Sequence, residues 1–282
     1  MPASPYTSVQ QARERLSARL LEIRKDAGLN SRQLAHRLGW YESKVSRILN
    51  AVSQPSEEDL RSWCRACDRA EEIPGLIAAL HMAEGAYVEW RRMERHGLRA
   101  AQESVWPVHE RTSQFRVYTH NLVPGLIQVR EYTAAVLSAT CRRRGLADDV
   151  GQAVEIRMER QRVLSSPGKT FAFLLEESVL HHRVADDEAM AEQLGHLLRV
   201  AALPHVRLGI IPAGTTRERY APETFYMYGT EQVAVELVSA YLTITQPSEI
   251  ALYEQSFAEL TALALFGPGI RRLIGQALEA LS

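Results

Sequence analysis

Three cysteines in 282 residues are too few, and odd in number, for a disulfide framework; they point to a reducing cytoplasm. No stretch approaches the roughly 18 uninterrupted apolar residues of a membrane span. The opening residues, MPASPYTS, lack the basic start and apolar run of an export signal. A soluble, cytoplasmic chain is therefore expected, with no membrane partner. Signatures of nucleotide or hydrolytic chemistry are missing as well: the chain holds no GxGxxG, GxxxxGK, GxSxG or HExxH. The sequence offers no catalytic constellation, and the expectation is a protein that is not an enzyme and needs no cofactor.

Net charge is also lacking, at −1, but the balance hides a local asymmetry. Residues 9 to 54 carry nine Lys or Arg against four Asp or Glu, an excess of five positive charges in a small segment. Such an excess suits a polyanion, although it allows few phosphate contacts per chain, so tight binding calls for two copies. Hydrophobic content of 46% supports a sizeable core, and the length suits two domains.

The segment LNSRQLAHRLGWYESKVSRILNAVSQP, Leu29 to Pro55, sits inside that basic region. Leu34, Ala35 and Leu38 recur at helical spacing, Gly39 interrupts, and Val45, Ile48 and Leu49 resume the period. Asn30 with Gln33 forms a capping box, Gly39 tolerates the positive φ of a tight turn, and Ala35 lets two helices approach. The second helix then turns Val45 and Ile48 inward and Glu42, Ser43, Lys44, Ser46 and Arg47 outward, the layout of a helix that reads a major groove. A helix from about Val9 to Ala27 precedes the motif. Ser56 caps another that carries Leu60, Trp63, Cys64 and Cys67 as its stripe, and a short helix follows Pro74.

At these residues the chain resembles the lambda-repressor-like (XRE-type) DNA-binding domains, with Leu34, Ala35, Gly39, Val45 and Ile48 at that family's spacing. Ser31 stands where many members carry a phosphate-clamping Gln, and Tyr41 where many carry a capping Ser or Thr. The resemblance implies a five-helix domain over residues 1–82 and double-stranded DNA as partner. Glu42, Ser43 and Arg47 are the expected base readers: Arg47 donates to guanine and Glu42 accepts from a cytosine amino group. The plainer alternative for Arg47 is a phosphate. Ser31, Arg32, Gln33, Lys44 and Ser46 are the expected phosphate contacts. Helix-turn-helix proteins pair on half-sites about 34 Å apart, so a homodimer on a near-palindromic operator is expected, associated with the nucleoid.

Beyond this region a long charged helix is expected from Glu84 to Val105. Strands follow at Phe115–Tyr118, Phe171–Leu175, Val206–Ile211, Thr224–Tyr228 and Val233–Val238. Helices are expected at Arg130–Ser138, Asp148–Leu164, Asp187–Ala202, Pro247–Leu265 and Ile270–Leu281. The fold class is thus mainly α with an α+β C-terminal domain, residues 83–282. The run LVPGLIQ, Leu122 to Gln128, followed by Glu131-Tyr132, and the helix VEIRMERQRVL, Val154 to Leu164, resemble the DUF5753 domain, an Scr1-type antitoxin-like domain of actinobacterial regulators. That resemblance implies a transcriptional regulator whose C-terminal domain receives a signal or a small cognate protein encoded nearby. An antitoxin-like protein neutralising that cognate protein, or a sensor with a small-molecule ligand in a deep pocket between sheet and helices, are the alternatives.

Two clusters invite metal chemistry. Cys64-Arg65-Ala66-Cys67 is a lone CxxC on an apolar stripe, and two thiolates do not fill a zinc site, so core packing is expected. Glu177 and His181 share a helix face with no third ligand, and His182 points about 100° away. Pro124-Gly125 reads as a turn that starts the following helix.

Overall fold

The computed structural model describes residues 7–77, 80, 87–89, 94, 97–217, 221–238 and 240–281. The chain divides into two compact units, Met1–Val88 and Glu89–Ser282. The junction expected at 82/83 lies outside the described residues.

The first unit is helical: α1 (Thr7–Asp26), α2 (Ser31–Leu38), α3 (Glu42–Leu49) and α4 (Glu57–Ala66), with residues 73–77 helical as well. The remainder of the short helix expected after Pro74 is described only at residue 80. Gly28, at φ 68°, ends α1 in the left-handed region that glycine favours. Leu16, Leu20 and Ile23 of α1, Leu34 and Ala35 of α2, Val45 and Ile48 of α3, and Leu60 and Trp63 of α4 form one buried cluster. Cys64 and Cys67 belong to the same core, and burial pushes the Cys64 thiol up to about 11 and Cys67 upward too. Both pack in this core as small apolar side chains.

The second unit is built on a mixed sheet. Its strands are β1 (Gln114–Thr119), β2 (Thr170–Glu176), β3 (Val206–Ile211), β4 (Phe225–Tyr228), β5 (Gln232–Glu236) and β6 (Ala240–Ile244). They are ordered β6-β5-β4-β1-β2-β3. β1 joins the two halves, pairing parallel with β2 through Phe115↔Phe171 and antiparallel with β4 through Phe115↔Tyr228. β2 and β3 are parallel, and β4, β5 and β6 form an antiparallel meander. The parallel strands need crossovers: α7 (Arg130–Arg144) and α8 (Val150–Arg160) link β1 to β2, while α9 (Ser178–His181) and α10 (Asp187–Ala201) link β2 to β3. α11 (Pro247–Leu263) and α12 (Pro268–Glu279) close the chain, after two shorter helices, α5 (Gly97–Glu103) and α6 (Trp106–Arg111), that precede the sheet.

One sheet face carries Phe115, Val117, Phe171, Phe173 and Leu208 against Leu194 and Leu197 of α10 and Ile270 and Ile274 of α12. The Phe115 and Phe171 rings stack at 4.8 Å across the parallel pair. The opposite face carries Phe225, whose ring meets Tyr253 and Phe257 of α11. With helices on both faces the strands become largely apolar, and Val206–Ile211, interrupted only at Arg207, is legible in the sequence to the residue.

Two expectations are corrected. The single helix from Glu84 to Val105 is broken: residues 87–89 are extended, Gly97 takes φ 93°, and α5 begins there. Residues 84–86, 90–93 and 95–96 of that span lie outside the described ones. Asp149 supplies the α5 cap from a distant segment, accepting from the Leu98 and Arg99 amides at 3.0 and 2.9 Å. The strand expected at Val233–Val238 stops at Glu236, and a further strand, Ala240–Ile244, returns beside it. No helix among the described residues is long and apolar enough to cross a membrane.

Candidate nucleic-acid interface

Local chemistry fixes α2 and α3 before packing orients them. The Asn30 Oδ1 accepts from the Gln33 amide at 2.9 Å, and the Gln33 Oε1 accepts from the Asn30 amide at 2.8 Å, so the expected capping box forms. Gly39 ends α2 at φ 66°, ψ 27°, and the Trp40 amide donates back to the Ala35 carbonyl at 2.9 Å. Tyr41 precedes α3 with extended backbone and no side-chain cap, as its phenol dictates. After α3 the chain turns through Ala51, a buried residue held at φ 55°. The buried Ser17 hydroxyl donates to the Ile48 carbonyl at 2.6 Å, tying α1 to the last turn of α3.

With Val45 and Ile48 in the core, the outer face of α3 is exposed. Glu42, Ser43, Ser46 and Arg47 all lie on it. The Arg47 guanidinium and the Ser43 hydroxyl make no hydrogen bond or ion pair among the described residues. Glu42 pairs with Arg32 of α2 at 3.0 Å, with side chains 58% and 86% exposed, so the pair is weakly held and opens readily. Ser46 is within 3.3 Å of the Asn50 amide nitrogen, which donates to it. Of the α2 residues expected on phosphates, Ser31 accepts from Arg24, Gln33 is committed to the capping box, and Arg32 is the exposed cation.

Lys44 takes a different place from the outward one expected. Its ammonium donates to Asp59 of α4 at 2.6 Å and lies 3.9 Å from the Trp40 ring centroid. Burial raises the Asp59 carboxyl, but hydrogen bonds from Lys44 and Ser56 outweigh it and hold the group below its ordinary range. Lys44 thus braces α3 against α4. Two exposed apolar side chains were missed: Tyr41, 86% exposed, and Val52, 70% exposed, stand at the two ends of α3. Their sequence positions were visible, but nothing in the apolar spacing marks a residue left outside the core.

The other sequence candidates are placed in the second unit. Glu177 accepts from the Ala213 amide at 2.7 Å and His182 contacts the Asn121 carbonyl at 2.8 Å, so both serve loop packing. Pro124-Gly125 opens a 3-10 turn, Gly125–Ile127, rather than leading directly into a helix.

The arrangement in residues 7–77, two short helices joined by a glycine turn and a second helix with a polar outer face, coincides with a match to the model of a helix-turn-helix domain over residues 15–73. Residues 104–276, the sheet with its covering helices, match the model of a domain of unknown function, DUF5753. The chain belongs to the DUF5753 family. With its helix-turn-helix domain the DUF5753 chain is a DNA-binding regulator. No curated protein matches it. Among solved structures it is similar to one described as TrmBL2, an archaeal chromatin protein with a novel mode of DNA binding, at 11% identity. The alignment covers 85% of this chain and 88% of that one with a TM-score of 0.32, too loose a likeness to carry an argument.

Proposed function

We propose that this DUF5753 protein is a sequence-specific transcriptional regulator that acts by binding rather than catalysis. α3 enters the major groove with Ser43 and Arg47 at base edges and Glu42 joining them once Arg32 swings to a phosphate. Two chains bind a near-palindromic operator as a homodimer, and the DUF5753 domain pairs them and receives a signal. The observation that carries the reading is the uncommitted Arg47 on the exposed face of an α3 whose inner face is fully buried. A guanidinium held out by a rigid helix is the commonest reader of guanine O6 and N7.

The test is selection of bound DNA from a random library by the purified full chain. The expected result is an enriched, near-symmetric site whose half-sites lie about one helical turn apart, roughly 34–36 Å. Enrichment of nothing beyond the input overturns the reading.

A further inference from the structure

The second unit holds a cavity of about 330 Å³ between the sheet and its covering helices. Its volume suits a small organic molecule. The apolar lining that keeps accessible surface comes from Val105, Leu122 and, on α7, Val136, while Phe115, Val117 and Phe173 of the sheet are at most 2% exposed. The polar part is unusual. Four arginines line it, at 143, 144, 157 and 160, against two glutamates, Glu94 and Glu236. Arg144 is committed to Glu94.

Arg143 is exposed to solvent, which leaves Arg157 and Arg160, one turn apart on α8, with no ion pair among the described residues. Their hydrogen bonds go to neutral amides: Arg157 to the Gln102 and Gln128 side chains at 2.9 Å each, and Arg160 to the Gln102 carbonyl at 2.9 Å and its side chain at 3.2 Å. Buried charge is normally paired, because removing it from water costs several kcal/mol. Two guanidinia that both donate to the Gln102 side-chain oxygen inside a domain, with the attraction of Glu236 offsetting them in part, depart from that rule. Burial and mutual repulsion push Arg157 down to about 10. Two cavity-lining side chains also keep a buried nitrogen without a partner, Arg160 at Nε and His109 at Nδ1.

Arg157, Tyr226 and Tyr241 are surrounded by protein yet retain accessible surface, as side chains on the wall of a hollow do. Tyr226, Tyr228 and Tyr241 line the same space; burial holds all three phenols protonated, and Tyr228 and Tyr241 hydrogen-bond each other.

We propose that this cavity binds a small organic carboxylate, its head group held by Arg157 and Arg160 and its apolar body lying on Val105, Leu122 and Val136. The paired guanidinia supply the donor forks that match a carboxylate, and the three aliphatic side chains supply the apolar wall. A doubly charged phosphate fits less well, because Glu236 faces the same space. The inference rests on the reading of the DUF5753 domain as the part that receives a signal. Its test is run without DNA, so a failure to bind operator and a failure to bind ligand are separate results.

The experiment is calorimetric titration of the purified full chain with straight-chain carboxylates from butanoate to decanoate and with phenylacetate. The neutral amides of each, and inorganic phosphate, are the comparison arms. At least one carboxylate is expected to bind at sub-millimolar concentration, about tenfold or more tighter than its amide, as befits hydrogen bonds to a charged group. Arg157→Gln, at the less buried of the two arginines, is expected to weaken that carboxylate by about tenfold while leaving amide binding unchanged. Val136→Trp fills the cavity from α7 with both arginines kept, and is expected to abolish binding. Absence of binding by every carboxylate at millimolar concentration overturns the proposal. So do equal affinities for acid and amide, preference for inorganic phosphate, or an Arg157→Gln protein that binds like the parent.

Discussion

Replacing Lys44 by Met separates bracing from DNA contact. The change removes the ammonium that bonds Asp59 at 2.6 Å and sits over Trp40, while keeping the length of the side chain. The ion pair is part-exposed, at 38% and 18%, so solvent screening limits it to about 0.5–1 kcal/mol. The cation–π contact adds about 0.5–1 kcal/mol. Asp59 keeps its bonds to Ser56, so no carboxylate is stranded, and the total loss is about 1–2 kcal/mol by these magnitudes. Urea unfolding of the helical unit, followed by Trp40 and Trp63 fluorescence, reads that loss. DNA affinity is then measured by anisotropy across a series of salt concentrations. A lysine that neutralises a phosphate contributes about 0.9 to the slope of log affinity against log salt. Lys44→Met is expected to leave the slope unchanged. A slope reduced by about 0.9 with stability unaltered refutes the bracing role and returns Lys44 to the phosphate contact its sequence position suggested.

Two further outcomes follow from the second unit. His109 is buried, and burial first, then Arg160 and Lys169, lowers its imidazole to about 3. Between that value and the ordinary 6.5 the unfolded chain binds a proton that the folded chain refuses, so stability falls as pH drops through this window. Moving from pH 7 to pH 5 costs about 2 kcal/mol through this group, and the loss is expected to vanish in His109→Gln; an unchanged pH dependence in that variant contradicts the assignment. A methyl group on Gly209 would meet Phe266 at 2.6 Å and Leu174 at 2.9 Å, and Phe266 is itself covered by the Arg207 guanidinium at 4.3 Å. Gly209→Ala is therefore expected to destabilise by about 1–3 kcal/mol in thermal unfolding, and a neutral result means the Phe266 ring moves aside at no cost.

Much of the architecture was legible because burial writes a simple code. Phe171–Leu175 reads as an unbroken apolar run, while Phe115–Tyr118 and Val206–Ile211 are each interrupted once, at Arg116 and Arg207. Asn30 with Gln33, Gly39 and Ser56 announce helix ends through hydrogen bonds within three or four residues, so short-range sequence suffices. The strand Ala240–Ile244 was hidden because it alternates buried with half-buried residues over only five positions, too short a run to stand out beside β5. α5 was mislaid for a different reason: its cap, Asp149, is supplied from far along the chain.

The candidate site shows the same division. The polar outer face of α3 follows from the positions of Val45 and Ile48, and was readable. The placing of Lys44 was not, since Asp59 and Trp40 come together with it only in the folded unit. Arg157 and Arg160 look like ordinary solvated charges in VEIRMERQRVL, because arginine is seldom buried. The i, i+3 spacing that puts both on one face was the only sequence trace of the cavity they line.

The proposed role of α3 turns on Arg47 as its base reader. Dissociation constants of the parent protein and Arg47→Ala, on the selected operator and on random duplex at one salt concentration, test it most directly. A base-reading arginine predicts a loss of about 1–3 kcal/mol on the operator and a much smaller one on random DNA, so that the ratio between them collapses. Equal weakening on both makes Arg47 a phosphate contact and contradicts the account.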